Sequence, residues 1–446
     1  MSALPGKTPR SGNSDETSAP RRSRPYNIGV SANYDVLIAG GGMAGCAAAI
    51  AAARESASVL LVEQHGYLGG NATRAMVQPW QSFHAALTRP DGGLPQQVIG
   101  GIAQEFVDDL VALGASPGHI VDPIGFAGSL TPVDSEALKL YLPGKLREAG
   151  VELRLATPLT RELADQAGQI VDATGSAAAA RLLGAKVAQP QDAQPYSWLF
   201  TMTGVDCTAV RAWQLAHLEE FVLHPAFAKL RPDYAAISGF FSLVREAQQA
   251  GEFSIPRDRL LFFSTPREGE VLINTTRIAA DHPQPQIEGL RQVHELASWL
   301  PQRVPGCASA RLGRLADSIG ERESYRIVGR ATLSAADVAS DAPLPDAVAR
   351  GCYRIDIHRS SDSGLQTQDI AKRGWYDLPL GCLQSVNVPR LLAAGRCISA
   401  DRYGFASARA LPTAIATGQA AGMIAAWRAQ KKEIEYSACL SRISLV

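Results

Sequence analysis

Three glycines, one carboxylate and a scatter of basic side chains are the residues whose types and spacing suit them to chemistry. Gly40, Gly42 and Gly45 stand in Gly40-Gly41-Gly42-Met43-Ala44-Gly45, a G-x-G-x-x-G spacing. In such a run the first glycine permits a tight turn, the second lets a pyrophosphate approach the backbone, and the third lets a helix pack close to a strand. Ala47 to Ala53 follow as an alanine-rich helix, whose N-terminus offers free N–H groups and the positive dipole end to phosphates. Glu63, about 20 residues past the glycines, is placed to accept from ribose hydroxyls. The chemistry this spacing supports is dinucleotide binding.

The elements that must position these groups surround them in order. Val36-Leu37-Ile38 is an all-apolar run expected of a parallel strand covered on both faces, and it feeds directly into the glycines. Val59-Leu60-Leu61-Val62 is a second buried strand ending at Glu63. A lone glycine motif is weak, and a tight turn by chance is its bland alternative. Strand, glycines, helix, strand and terminal acid together meet the context the motif requires. NAD and FAD share this unit, and Leu68-Gly69-Gly70, arriving shortly after Glu63, separates them. There the sequence resembles the flavoprotein branch of the fold, the glutathione-reductase-like superfamily, in which Gly-Gly lets the chain run beside the FAD pyrophosphate. The resemblance implies FAD-side roles for Gly69, Gly70, Asn71 and Arg74, beside Gly40, Gly42, Met43, Ala44, Gly45 and Glu63.

At 446 residues the chain is long enough for two or three structural units. A content of 46% hydrophobic and 19% charged residues is that of a globular protein. Lys+Arg equals Asp+Glu at 43 each, so no field attracts nucleic acid or an anionic membrane, and the expected partner is a small molecule. Seven Cys with no C-x-x-C pair read as reduced thiols of a cytoplasmic protein, and the scattered His make no metal-ligand spacing, so no metal is expected. No apolar run is long and uninterrupted enough for a membrane span. Residues 1–33 read as a disordered leader.

Further along, Ile102, Phe106, Leu110 and Leu113 mark an amphipathic helix. A helix is expected from a capping Thr131 through Pro132, with a kink or break at Pro143-Gly144 and a stop at Gly150. Val151 to Leu155 is the next strand, and Ile170-Val171-Asp172-Ala173-Thr174-Gly175 is a strand running into Ala-Thr-Gly, which resembles the second FAD contact of the superfamily. Relatives place a longer hairpin between these strands, so that layer is expected to be reduced or missing here. Ser197 to Val205, Leu260 to Phe263 and Val271 to Ile278 read as strands, with helices over Val210 to Leu223 and Tyr234 to Ala250. The expected architecture is α/β: a Rossmann-type FAD-binding domain with a parallel sheet (34–185 and 376–430), an inserted α+β substrate domain (186–375) and a tail (431–446).

The resemblance narrows beyond residue 320. Gly320-Glu321-Arg322-Glu323-Ser324-Tyr325-Arg326-Ile327-Val328-Gly329, Tyr353-Arg354-Ile355-Asp356-Ile357-His358, Leu391-Leu392-Ala393-Ala394-Gly395-Arg396, then Ser407, Arg409, Pro412 and Thr417-Gly418-Gln419-Ala420-Ala421-Gly422 resemble signatures of the FAD-dependent oxidoreductase family. It implies that Ala173, Thr174, Gly175, Gly395, Arg396, Arg409, Pro412, Thr413 and Ala414 stand at the cofactor. A proline-started helix near Pro412, pointed at the flavin, would stabilise negative charge on the reduced ring, its bland alternative being a helix with Gly for close packing.

FAD would carry the hydride chemistry of a dehydrogenase or oxidase, with protein groups placing a small organic substrate. Arg322 and Arg326 are candidates for bidentate carboxylate binding, with ion pairs to Glu321 or Glu323 as their structural alternative. His358 and His84 are candidate bases, structural roles being the commoner fate of lone histidines. Tyr403 and Arg409 are candidate site walls, and Cys382 and Cys397 lack the sequence partner of a redox disulfide. No second glycine motif follows a strand in 186–375, so no internal nicotinamide domain is expected. Electrons would then leave to oxygen or an external acceptor, and an oligomer remains open. A net non-redox flavoenzyme (isomerase or lyase) and a non-enzymatic nucleotide-binding module are the competing functions.

Overall fold

The computed structural model describes residues 33–359 and 364–446, so the expected leader, Asn33 apart, lies outside the described residues. Along the chain run β1 (Tyr34–Ala39), β2 (Val59–Val62), β3 (Glu152–Arg154) and β4 (Ala167–Asp172). Then come β5 (Phe200–Thr203), β6 (Ala236–Gly239), β7 (Leu260–Ser264), β8 (Glu270–Ile273), β9 (Arg311–Leu315), β10 (Ile355–His358) and β11 (Leu391–Ala393). Two sheets dominate. One is wholly parallel, in the order β11-β4-β1-β2-β3, with Val36 opposite both Val59 and Gln169. The other is antiparallel, in the order β9-β5-β8-β7-β6.

The parallel sheet is covered on both faces because its central strands are apolar at nearly every position. Val36 and Ile38 enter one core with Val59, Leu61, Val171 and Leu392. Leu37 and Ala39 enter the opposite core with Leu60, Val62, Ile170 and Leu391. The period of two along β1 thus serves two cores at once.

Helix α1 (Met43–Arg54) is buried at every position from Met43 to Ala52. Its alanines let another buried helix approach, the C-terminal helix that Pro412 opens (Leu411–Ala429). On that helix Gly418 and Gly422, four residues apart, lie on one face. A Cβ on Gly418 would strike the Ala44 carbonyl oxygen, and one on Gly422 would strike that of Ala48. Both glycines are therefore required by a helix-to-helix approach that no side chain fits.

The antiparallel sheet has its own core, in which Phe200, Met202, Ile237, Phe262 and Leu272 meet Val293, Leu296 and Leu300 of a helix over Pro285–Arg303. A helix over Ser135–Glu148 ties this sheet to the parallel one through charge. Asp134, which caps it by accepting from the Glu136 N–H (2.8 Å), also takes Arg267 at 2.7 Å. Arg314 of β9 bridges Glu136 (3.1 Å) and Glu270 (2.7 Å).

Several expectations need correction. The helix begins after Asp134, because Leu130–Thr131 is spent pairing with Trp80–Gln81. It passes Pro143 without a break, since a proline removes a single N–H bond and the remaining ladder holds. Residues 234–250 are not one helix: the apolar run through Ala236–Gly239 is drawn into the sheet as β6, and the helix starts only at Phe241. The helix over Pro285–Arg303 was missed, although Pro at its start and Val293, Leu296 and Leu300 at helical spacing signal it. Between β3 and β4, by contrast, the hairpin layer is reduced as expected, to a short helix over Arg161–Asp165.

His84 serves this packing. Its ring is buried, Nδ1 lies 3.0 Å from Ser129 Oγ, and the ring meets that of His119 edge-on at 5.1 Å. His119 is held by Thr131 Oγ1 (2.7 Å) and Gln104 Oε1 (2.8 Å). Burial lowers both imidazoles to about 4, with His119 adding to the effect on His84.

Two outcomes follow from this packing. Folded values below the ordinary one of 6.5 give stability that is complete above about pH 6.5 and lost as pH falls toward 4, on the order of 3 kcal/mol for each imidazole. The midpoint of thermal unfolding should therefore fall over that window, and less steeply in a His84→Gln/His119→Gln variant; an unchanged slope would remove the pair from the account. Gly422→Val should destabilise by about 1–3 kcal/mol, measured by urea unfolding, as the helices are forced apart.

Candidate functional site

A cavity of about 430 Å³ runs between the parallel sheet and the antiparallel one, within the range of small-molecule sites. Its first end is built on the tips of β1, β2, β4 and β11. Gly40 has φ +96, and a Cβ there would lie 2.8 Å from Ala173 O. Gly42 is different: a Cβ there would meet nothing nearer than 3.9 Å, so its missing side chain leaves room for a ligand. Gly69 and Gly70 lie against this turn, with Gly69 N donating to Gly41 O at 2.8 Å and φ +103 and +55.

Glu63 is nearly buried. Its Oε2 accepts from Gly41 N at 2.7 Å and its Oε1 from His65 N at 2.9 Å, which fixes the carboxylate at the cavity wall. Asp172 shapes the Ala-Thr-Gly turn by accepting from Thr174 N (3.1 Å), Thr174 Oγ1 (2.7 Å) and Ala180 N (2.8 Å). Gly175, at φ +76, lets the Arg396 guanidinium lie over it, 2.6 Å from where a Cβ would stand. Arg396 also donates to the Glu321 carbonyl. Neither α1 nor the Leu411–Ala429 helix has a side-chain cap, so the first-turn N–H groups at both N-termini remain available. Ala44, Ala410, Leu411 and Ala414 bring both termini to the cavity, and nearby Thr413 Oγ1 is buried without a partner. Two uncapped helix ends, an open glycine cradle and a carboxylate on the second strand fit a dinucleotide.

The far end is lined by the antiparallel sheet and β10. Asp356, buried, accepts from Arg409 (3.0 Å) and Tyr353 OH (3.2 Å), and stands 3.4 Å from His358 Nε2. Its other oxygen has no partner. Burial pushes the Asp356 carboxyl up, but His358, Arg409 and Arg322 outweigh it and hold the group ionised. Burial lowers His358 to about 3, Asp356 opposing and Arg322 adding to the drop, so the imidazole is neutral at pH 7. Arg257 and Arg322 complete this end, beside Leu199, Leu261, Phe263, Ile124 and Phe126.

The cavity brings together Gly40, Gly42, Met43, Ala44, Glu63, Gly69, Gly70, Asn71, Arg74, Ala173, Thr174, Gly175, Gly395, Arg396, Arg409 and Ala414 with Arg322 and His358. Gly45 sits behind it, packed on Gly40 O, and Pro412 forms the first helical turn. His65 reaches the wall with Nε2 2.5 Å from Arg74. Two candidate catalytic residues lie elsewhere. His84 is turned into the Ser129 and His119 packing because the chain, which lines the cavity as far as Gln81, pairs there with Leu130–Thr131 and turns into the core. Arg326 is stacked over the Phe405 ring at 4.5 Å, where the aromatic face takes its charge. Neither Arg322 nor Arg326 forms the ion pair with Glu321 or Glu323 considered for it: Glu323 is taken by Gln194, and Arg322 donates to Pro195 O and Ser197 Oγ. Tyr403 packs on the core. Cys397 accepts from Gly175 N (3.1 Å) beneath the turn, burial pushing its thiol up, and all seven cysteines are free. Arg257, Tyr353 and Asp356 were missed. The polar Asp356 between Ile355 and Ile357, two residues before His358, is a signal the sequence offers for that segment, and Arg257 has none.

Among the described residues no helix is long and apolar enough to cross a membrane, and no group of His, Cys, Asp and Glu could hold a metal. No curated protein matches the chain. Solved structures similar to it include a geranylgeranyl bacteriochlorophyll reductase-like protein from Thermoplasma acidophilum, at 12% identity over 89% of this chain and 78% of that one, with TM-score 0.44. The L-proline dehydrogenase from P. horikoshii is 12% identical over 91% and 95%, TM-score 0.42. A point mutant of the halogenase PltM in complex with FAD is 12% identical over 92% and 73%, TM-score 0.42. Likenesses so distant carry nothing about the reaction. The family described as FAD dependent oxidoreductase matches over residues 35–437, nearly all of the described chain. The chain belongs to the FAD-dependent oxidoreductase family, and FAD is its cofactor.

Proposed function

We propose that the protein is a dehydrogenase or oxidase that moves a hydride between FAD and a small organic substrate, at a C–H bond next to nitrogen or oxygen. The observation that carries this reading is the far end of the cavity: a neutral His358 beside an ionised Asp356, continuous with the glycine turns. FAD supplies the hydride acceptor when bound. Gly42, the α1 N-terminus, Gly175 and Arg396 would hold its pyrophosphate and Glu63 its ribose. The Leu411–Ala429 helix would turn its positive end toward the flavin.

The remaining work falls to the chain. With Nε2–H donating to Asp356, His358 carries its lone pair on Nδ1, 3.5 Å from an Arg277 N–H, a long contact that a substrate donor can replace. Asp356 fixes the tautomer and ring orientation and acts as a positioning residue. Leu261, Phe263 and Leu199, from the inserted segment 186–375 that we take as the substrate domain, exclude water from the reacting atoms. Electrons then leave to oxygen or to an external carrier.

Anaerobic mixing with candidate amines, alcohols and amino or hydroxy acids should bleach the visible band of the bound flavin. His358→Gln should keep the flavin and slow bleaching by about 10²–10³-fold. Turnover of a substrate with no flavin reduction in rapid mixing would replace this reading with net non-redox chemistry, and bleaching by NAD(P)H alone would restore an internal nicotinamide site.

A further inference from the structure

The guanidinium groups of Arg257 and Arg322 share one property that the flavin chemistry does not require. Both line the far end of the cavity, Arg257 buried and Arg322 partly so. Arg257 donates to the carbonyls of Thr275 (3.1 Å) and Thr276 (3.4 Å). Arg322 donates to the Pro195 carbonyl and to Ser197 Oγ (3.0 Å). All of these acceptors are neutral, and among the described residues neither arginine has an ion pair. Taking an unpaired charge out of water is expensive, and proteins ordinarily pair such groups.

The neighbouring charges do not make up the difference. Asp356 is the carboxylate nearest the middle of their cluster, and Arg409 already takes it at 3.0 Å. Asp258 is engaged by Arg259 at 2.8 Å. Asp122 is closed on itself, accepting from the Ile124, Phe126 and Ala127 N–H groups at 2.9 Å each. Glu321 is exposed, with its backbone carbonyl given to Arg396 on the cofactor side. Three arginines thus face a single carboxylate, with Arg277 close enough to add its repulsion while its own N–H groups reach the Arg359 and Gly364 carbonyls. The rest of this end is apolar: Ile124, Phe126, Leu199, Leu261 and Phe263.

We propose that the far end is a carboxylate site, in which Arg257 and Arg322 take the anionic group of the substrate while the apolar wall takes its body. This deepens, and rests on, the hydride-transfer reading above. A bound carboxylate supplies the missing charge and accepts from a planar N–H fork, the geometry guanidinium groups are built for. It also answers the repulsion that drives both arginines down: burial and Arg409 lower Arg322 to about 9, and burial and Arg277 lower Arg257 to about 9. With the carboxylate held there, the body of the substrate would extend along the apolar wall, in the same cavity as His358.

The test uses benzoate and its neutral isostere benzamide on the FAD-loaded protein, with calorimetry and the visible flavin spectrum as readouts. Benzoate should bind about tenfold or more tightly than benzamide and perturb the flavin band. Arg257→Gln and Arg322→Gln should each erase that preference while the FAD dissociation constant, from reconstitution of apoprotein, stays within about twofold. Equal binding of the two ligands by the wild-type protein, or binding of neither, overturns the assignment without reference to any variant. Loss of FAD with the benzoate preference retained overturns it too, giving the arginines to the cofactor. If the protein takes up no FAD, the hydride-transfer reading falls, and benzoate against benzamide on the apoprotein still decides the carboxylate site.

Discussion

The approach of the Leu411–Ala429 helix to α1 is the constraint on which the site depends. Gly418 and Gly422 bring that helix so close to Ala44 and Ala48 that no side chain fits between them. The two helices reach the cavity by their N-termini, one at the glycine turn and the other at Ala410 to Ala414. Their separation is therefore set by backbone contact rather than by interdigitated side chains, and this wall of the cavity is held by one rigid pair. The alanine content of α1 has the same cause. A helix buried on every side, against a sheet and its covering apolar residues and another helix, has room for little else.

The opposite end of the cavity works by charge rather than by contact. An ionised Asp356 and a neutral His358 sit side by side because Arg409 and Arg322 stabilise the anion, and burial together with Arg322 opposes the cation. An imidazole so depressed is a weak base until something offsets the arginines. Acid-base competence at this end is thus conditional on what else occupies it, while the glycine turns at the first end hold their shape through hydrogen bonds to backbone and to fixed side chains such as Glu63 and Asp172.

The nucleotide half was legible because it is local. Gly40 to Gly70 is a single βαβ passage, and each glycine owes its identity to a turn or an approach within that passage. Ala173 to Gly175 and Gly395-Arg396 were found through strands that end beside it. The far half was legible only in part. Arg322 and His358 stood out by residue type, but Arg257 and the Tyr353-to-Asp356 segment join them only because the antiparallel sheet and β10 fold over the parallel sheet, and nothing in the sequence around Arg257 reports that meeting. His84 shows the reverse error. It follows the glycines closely in sequence, yet Trp80–Gln81 pairs with Leu130–Thr131 and leads it into the core. The helix expected at Thr131 failed for the same reason, since a residue committed to a strand pair is not available as a cap.

The ion pairs that join the Ser135–Glu148 helix to the antiparallel sheet differ in kind from everything else that holds the two together. Arg267–Asp134 and Arg314–Glu136 are partly open to solvent, and dissolved ions weaken such pairs while leaving apolar cores intact. The sheet that walls the cavity is thus latched by contacts that salt loosens, over cores that it does not. Raising the ionic strength therefore weakens the attachment of that sheet at this edge while leaving its apolar cores unchanged.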